Sequence, residues 1–136
     1  MSRYTRKKKE DIGLSPYALI FRGQKKAEHI TITAMDFDQE EVREFGIERT
    51  EKISALLGKA NLSWLNIDGL HDEKRIEEIG ALVGVPFHIL SDILNPSLRP
   101  KVQEFDNGVF ITLKMLQFKE ESRTISVENL SLILTQ

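Results

Sequence analysis

The sequence predicts a layered α/β domain built on a mixed, partly antiparallel sheet. Apolar runs with the two-residue period of strands occur at both ends of the chain, and runs with the 3.6-residue period of helices lie between them. A length of 136 residues, with 40% hydrophobic and 29% charged side chains, is typical of one globular domain. The predicted order of elements is β-β-α-α-β-α-α-β-β-β.

A hairpin and a short helix are the first elements that the pattern predicts. Residues 17–23 and 29–37 are rich in strand-forming residues and lie close together, so we expect them to pair in antiparallel fashion. Residues 38–45 begin with Asp38 and carry Glu41 three positions later. This spacing resembles a capping box and predicts a helix.

A second helix and a strand are predicted in the middle of the chain. Residues 48–60 have a helical period, and Gly58 is the expected stop. The apolar face of this helix consists of Ile53, Leu56 and Leu57. Residues 63–69 change to a strand pattern that we expect to be mostly buried, with Trp64, Leu65 and Ile67 as its apolar members.

Two further helices follow this strand. Asp72 is the expected N-cap of the first, and Gly84 is its expected C′ residue. The buried stripe of this helix is predicted to contain Ile76, Ile79, Leu82 and Val83. Pro86 stands where a first-turn proline belongs, and it opens a third helix over residues 86–94.

The last third of the chain predicts three strands. Residues 99–105 lead into the Asp-Asn-Gly turn at 106–108, and a long apolar strand follows at 109–118. A polar loop then leads into the final strand at 125–136. Because this apolar strand reaches the last residue, we expect the natural protein to continue beyond Gln136.

Composition and motifs exclude several classes of function. A net charge of −2 argues against bulk nucleic-acid binding, and the lack of cysteine excludes disulfides and thiolate sites. No run approaches the length of a membrane helix, and no common catalytic motif occurs, so we predict that the chain is not an enzyme. Residues 1–13 are predicted to be a basic flexible tail, and residues 14–136 the domain.

Asp92 is the candidate functional residue. On the third helix the polar side consists of His88, Ser91, Asp92 and Asn95. No cationic residue lies three or four positions from Asp92, so we expect an outward-facing carboxylate without a partner in its own helix. Near the negative end of a helix dipole a hard cation would stabilise it. Two alternatives are an ordinary exposed acid and a transition-metal site that also uses His88.

The segment after this helix has a structural interpretation. Pro96 ends the helix, and Pro100 requires Arg99 to be extended. Arg99 and Lys101 bring positive charge to the helix end, and we interpret them as local caps and ion pairs.

Three blocks carry a family resemblance: WLNIDGLH at residues 64–71, SDILNPSLRPKVQEFDNGVFITLKML at 91–116, and VENLSLILT at 127–135. In order and spacing they resemble the N-terminal cytosolic domain of the CorA family of magnesium and cobalt transport proteins. The resemblance extends from about residue 16 to the end of the chain. It implies a three-layer α/β/α domain, incomplete at its C-terminus, at the cytoplasmic face of the cell membrane.

The same resemblance implies a role in ion transport. Members of the family are homopentameric channels, whose stalk helix and two membrane helices are absent from these 136 residues. By themselves the 136 residues are therefore expected not to conduct ions and to be monomeric or weakly associated. Asp92 corresponds to an aspartate that binds a regulatory Mg²⁺ weakly, between subunits, and Co²⁺ is a second implied ion. Ser91 stands where some members carry a glutamate.

Two other functions remain open from the sequence. A related family of zinc transporters shares the fold, so the transported ion is less defined than the family. A stand-alone α/β interaction module is the alternative from another class.

Overall fold

The computed structural model describes residues 18–25, 28–57 and 62–136. In these residues the chain forms β1 (Thr31–Phe37), β2 (Val42–Gly46), α1 (Glu51–Leu57), β3 (Leu62–Asp68), α2 (Glu73–Leu82), α3 (Phe87–Ile93), β4 (Lys101–Phe105), β5 (Gly108–Lys119) and β6 (Thr124–Thr135). The predicted α/β class is confirmed, with strands in the majority. The predicted tail at residues 1–13 lies outside the described residues.

The described strands form two three-stranded sheets. One has the order β2-β1-β3 and the other the order β4-β5-β6. Every pairing in them is antiparallel, so the prediction of a mixed sheet is wrong. The physical reason is that β1 and β2, and likewise β4, β5 and β6, are joined by short turns, whereas parallel neighbours need a long crossover. The three-layer arrangement stays a prediction.

Two apolar cores hold the sheets and helices together. The first core contains Ile32, Ala34, Ile47, Ile53, Leu56 and Ile79. The second contains Ile76, Val85, Ile89, Leu90, Leu94 and Phe110. Helix α2 joins the two cores, because Ile79 faces the first and Ile76 faces the second. Complete burial of a side chain such as Phe110 stabilises the fold by roughly 1.5–3 kcal/mol.

Helix α2 begins and ends as the sequence predicts. Asp72 caps α2, since its side chain accepts the N–H of Arg75 at 3.1 Å. Gly84 follows this helix with a φ of +72°, a conformation that glycine adopts without strain. Gly80 lets α2 and α3 approach each other, because a Cβ at this position would lie 2.6 Å from a methyl carbon of Leu90.

The predicted hairpin and first helix are wrong. Residues 18–23 form no strand, and the backbone N–H of Arg22 instead donates to the carbonyl of Leu94 at 3.0 Å. The segment predicted as a helix, residues 38–45, contains the turn and strand β2 of a hairpin with β1. Asp38 accepts the N–H groups of Glu40 and Glu41 at 2.8 and 2.9 Å, which hold this turn.

Several smaller predictions also differ from the structure. Trp64 is 49% exposed, so β3 is not mostly buried as expected. Leu57 and Leu82 are exposed rather than part of the apolar helix faces. Pro86 is the N-cap of α3, one position before the first turn. The expected stop at Gly58 lies outside the described residues.

One side of the β4-β5-β6 sheet carries apolar residues that remain accessible to solvent. The register and the alternation of side chains place Val102, Val109, Ile111, Leu113, Met115, Leu130, Leu132 and Leu134 on this side. Exposure ranges up to 70% at Leu134 and 68% at Val102. We call this set of eight residues the open face. The opposite side of the sheet carries Phe110, which packs in the second core with residues of the helices, and the buried Thr112.

Candidate cation site at the end of helix α3

The helix that carries Asp92, α3, is firmly packed. Ile89 and Leu94 are completely buried, and Leu90 is nearly so, which fixes the rotation of the helix about its axis. His88 and Ser91 are exposed, whereas Asp92 is partly buried. The predicted polar side of the helix is therefore confirmed, but Asp92 does not project freely into water.

A tight turn brings β4 back beside the end of α3. The N–H of Asn95 donates to the carbonyl of Asp92, and the N–H of Leu98 donates to the carbonyl of Asn95. The side chain of Asn95 accepts the N–H of Ser97 at 3.1 Å. As a result the first residue of β4, Lys101, lies next to Asp92.

The Lys101 ammonium stands between two oxygen atoms. Its Nζ lies 2.6 Å from Asp92 Oδ2 and 2.6 Å from Gln103 Oε1. Its Nζ also lies 5.8 Å from the centre of the Phe110 ring, within the range of a cation–π contact. The side chains of Lys101 and Asp92 are 33% and 27% exposed. The partner lies on β4, so the expectation of no partner within the helix is not contradicted, whereas the expectation of an exposed, unpaired carboxylate is wrong.

The proposed ion pairing of the residues after α3 is confirmed for Lys101. Lys101 is nine positions from Asp92, outside the three or four positions that a helix surface brings together. Gln103 was not singled out by the sequence. Its place two positions after Lys101 on a strand puts both side chains on the same side of the sheet, and that spacing is the signal that could have found it.

A second lysine, Lys114, contacts the turn after α3, and none of its described contacts is with a carboxylate. Lys114 Nζ donates to the carbonyl of Pro96 at 2.7 Å and to the side-chain oxygen of Asn129. The Asn129 amide in turn lies 3.5 Å from the carbonyl of Asn95. Burial lowers the pKa of Lys114. These contacts join strands β5 and β6 to the turn after α3, so they help to position Asp92.

The oxygen atoms at this site fit a hard cation only in part. Mg²⁺ and Ca²⁺ prefer carboxylate and amide oxygens, and Mg²⁺ often keeps several of its waters. Asp92 and Gln103 offer one oxygen of each type. Within the described residues, no group of three histidine, aspartate or glutamate side chains could hold a metal ion. Any cation here therefore needs water or another protein surface to complete its coordination.

The other histidines lie in a different region. His29 and His71 line an open cleft of about 380 Å³ with Asp72 and Glu73. Asp72 is occupied as the cap of α2, and Glu73 accepts the backbone N–H of Phe21 at 3.0 Å. His71 lies 3.3 Å from the carbonyl of Glu28. His71, Asp72 and Glu73 thus have structural contacts at the start of α2.

Comparisons with known proteins give one clear match. No protein-family model matches the chain. The chain is 36% identical over 124 residues to the cobalt/magnesium transport protein CorA of Thermotoga maritima. The match covers 91% of this chain and 35% of that protein, so the chain spans about a third of the length of its relative. Over the described residues, no helix is long and apolar enough to cross a membrane.

Proposed function

The chain belongs to the CorA family, and from this premise we propose that it is a cytosolic, divalent-cation-sensing domain of a magnesium and cobalt transport protein. The observation that carries the proposal is the pair of oxygen atoms, from Asp92 and Gln103, that converge on a positive charge at 2.6 Å. The match to a transport protein is compatible with the prediction that the chain is not an enzyme.

The site supports sensing rather than tight storage of a cation. One carboxylate and one amide oxygen make a weak site, and a weak site responds to an ion that is abundant in the cell. Mg²⁺ is the proposed ion, and Co²⁺ is a second one that the same oxygens can bind. Partial exposure of Asp92 leaves room for waters or for an acid from a neighbouring subunit.

Regulation follows if the cation binds one assembly better than another. We propose that the complete protein is a homopentamer at the cytoplasmic face of the membrane, with Asp92 at a contact between subunits. A cation shared across that contact shifts the population towards the assembly that holds it. Without the cation, facing carboxylates repel each other and loosen the contact.

The three-layer arrangement belongs to the same proposal. The open face exposes apolar side chains over three strands, and a helical layer from the complete protein would bury them. The described residues supply helices on the other side of this sheet, through the contacts of Phe110 with the second core.

Two alternatives differ from this proposal in what they predict. A related zinc transporter would use the same domain for another ion, which competition between Mg²⁺, Co²⁺ and Zn²⁺ would reveal. A stand-alone interaction module is favoured by the open face, because exposed apolar patches often mark binding surfaces. Such a module would bind its partner regardless of Mg²⁺ and of Asp92.

The test is Mg²⁺-dependent protection of the full-length protein from proteolysis. Mg²⁺ should protect the wild type, and Asp92→Asn should require a higher Mg²⁺ concentration for the same protection. Asp106→Asn is the matched control, since Asp106 is an exposed acid in the β4–β5 turn, away from the site. Equal Mg²⁺ dependence of the wild type and Asp92→Asn would remove Asp92 from the sensor.

A further inference from the structure

We propose that Lys101 is a built-in competitor of the sensed cation, whose ammonium occupies the position between Asp92 and Gln103 that the cation takes. This inference rests on the proposed function, because it concerns the same two oxygen atoms. It adds to that function a residue that sets the affinity of the site and a second oxygen ligand, Gln103.

The geometry around the ammonium supports this role. A lysine ammonium is a compact point charge, and it lies 2.6 Å from each oxygen of a mixed carboxylate and amide pair. The same two oxygen types bind hard divalent cations. The oxygen atoms of Asp92 and Gln103 are thus already arranged around a positive charge, which is the ammonium of Lys101.

Charge balance explains why the lysine opposes binding. The carboxylate of Asp92 is neutralised by Lys101 in the structure. The Lys101 ammonium lies within hydrogen-bond distance of Asp92, the carboxylate that a divalent cation would bind. The cation and the ammonium are both positive, so they repel each other at this short separation. The cation therefore binds only when the ammonium moves away, and its affinity is lower by the free energy of the broken ion pair.

Exposure and packing allow the ammonium to leave. The Lys101 side chain is 33% exposed, and ion pairs with this degree of solvent contact contribute little to stability. Its Nζ also lies 5.8 Å from the centre of the Phe110 ring, so release of the ammonium gives up this cation–π contact together with the ion pair. Release of the ammonium into water leaves β4 in place, because the strand is paired with β5 from Lys101 to Phe105.

Lys114 gives the contrasting case on the same sheet. Its ammonium donates to the carbonyl of Pro96 and to the neutral side chain of Asn129. Neither of these contacts is a carboxylate, so the divalent cation gains little by replacing it. The difference between the two lysines is the carboxylate, and that is why competition is assigned to Lys101 and not to Lys114.

The first experiment measures Mg²⁺ and Co²⁺ affinity of the full-length protein by titration calorimetry. Lys101→Met removes the ammonium but keeps a long apolar stem, and it should tighten binding about threefold to tenfold, as expected for loss of a partly exposed ion pair. Lys119→Met is the matched control, because it removes one exposed positive charge from β5 and should leave affinity nearly unchanged. Asp92→Asn should abolish binding.

The outcomes separate this inference from the proposed function. If Asp92→Asn abolishes binding but Lys101→Met does not tighten it, the competitor role is overturned and the cation site stands. If Lys101→Met and Lys119→Met tighten binding equally, net charge alone is responsible and the role is also overturned. If neither the wild type nor Lys101→Met binds a cation, both proposals fail together.

A second experiment, on the wild-type full-length protein, does not depend on the folding of a variant. Acetylation of each lysine is followed by mass spectrometry with and without Mg²⁺. Displacement should make Lys101 react several-fold faster when Mg²⁺ is present, while the exposed Lys119 reacts at a constant rate. If Lys101 reacts at the same rate in both conditions, its ion pair with Asp92 is purely structural and the inference is overturned.

Discussion

Strand β1 buries every second side chain, Ile32, Ala34 and Asp36, whereas the longer strand β5 buries only Phe110 and Thr112. Both strands lie at the centre of a three-stranded antiparallel sheet. The sheet of β1 places Ile32 and Ala34 in the first core, although Val42, Leu62 and Trp64 stay exposed on its other side. The sheet of β5 carries the open face. The difference teaches that an apolar strand pattern indicates a surface that needs a partner, and that the partner need not lie in the same stretch of chain.

The largest expected effect concerns the second core. Phe110→Ala should destabilise the chain by about 3–5 kcal/mol, because it opens a cavity at a completely buried position. Phe118→Ala on the same strand is the control, and a change within about 1 kcal/mol is expected because its ring is 60% exposed. Urea unfolding measures both. Similar losses at the two positions would show that the exposed end of β5 is as tightly packed as its core end.

Substitution of Asp72, the N-cap of α2, tests whether this helix couples the stabilities of the two sheets. Asp72→Ala should cost about 1 kcal/mol, because the Arg75 N–H loses its acceptor at the helix start. Hydrogen exchange should then speed up in both sheets, since α2 contributes Ile79 to one core and Ile76 to the other. The exposed Glu77→Ala on the same helix serves as the control. Faster exchange confined to one sheet would contradict the coupling.

The open face should tolerate a charge that the first sheet cannot. Leu134→Lys is expected to change the free energy of unfolding by less than about 0.5 kcal/mol, because the side chain is 70% exposed. Binding of the dye ANS to the folded chain should fall, since the apolar surface is interrupted. Ile32→Lys, which buries the same charge in the first core, should prevent stable folding. Loss of folding in Leu134→Lys would show that the open face is covered.

The smallest effect concerns the turn between β1 and β2. The backbone N–H groups of Glu40 and Glu41 lower the pKa of Asp38 below its ordinary value. A lowered folded-state pKa stabilises the fold above the unfolded-state pKa, and this stability is lost as the pH falls through the folded-state value. Asp38→Asn keeps an acceptor oxygen but does not titrate.

Urea unfolding of the wild type and Asp38→Asn between about pH 5 and about pH 2 measures this contribution. The stability advantage of the wild type should shrink as the solution becomes more acidic. A difference that stays constant over this range would show that the hydrogen bonds of the turn do not depend on the charge of Asp38.

Most of the helices and later strands could be predicted because their signals are local. Asp72 and Gly84 mark the ends of α2, and the Asn95-Pro96 step ends α3, as periodicity and capping indicate. The helix predicted to begin at Asp38 was wrong for a physical reason. A carboxylate that accepts the N–H groups two and three residues later is equally suited to a helix start and to a hairpin turn. Nothing in the adjacent sequence distinguishes the two.

The candidate site was only half predictable. Helical periodicity found Asp92, but a search of its own helix could not find a partner on the following strand. Lys101 reaches it because the turn at residues 95–98 reverses the chain, and that geometry depends on the contacts of Lys114 and Asn129 with the turn. The side-chain oxygen of Gln103 lies in the site for the same reason, because the turn places its strand beside α3.

Lys101 belongs to the same chain as Asp92, and this fixes the effective concentration of its ammonium at the site. An intramolecular ligand acts at an effective concentration that is set by its attachment to the chain, regardless of how dilute the protein is. The ammonium that faces Asp92 is such a ligand, nine residues away along the chain. Dilution of the protein does not weaken it, so it leaves Asp92 only when the proposed cation displaces it. Under the proposed competition, the cation concentration needed for a response is encoded in the chain, and a change of one side chain would reset it.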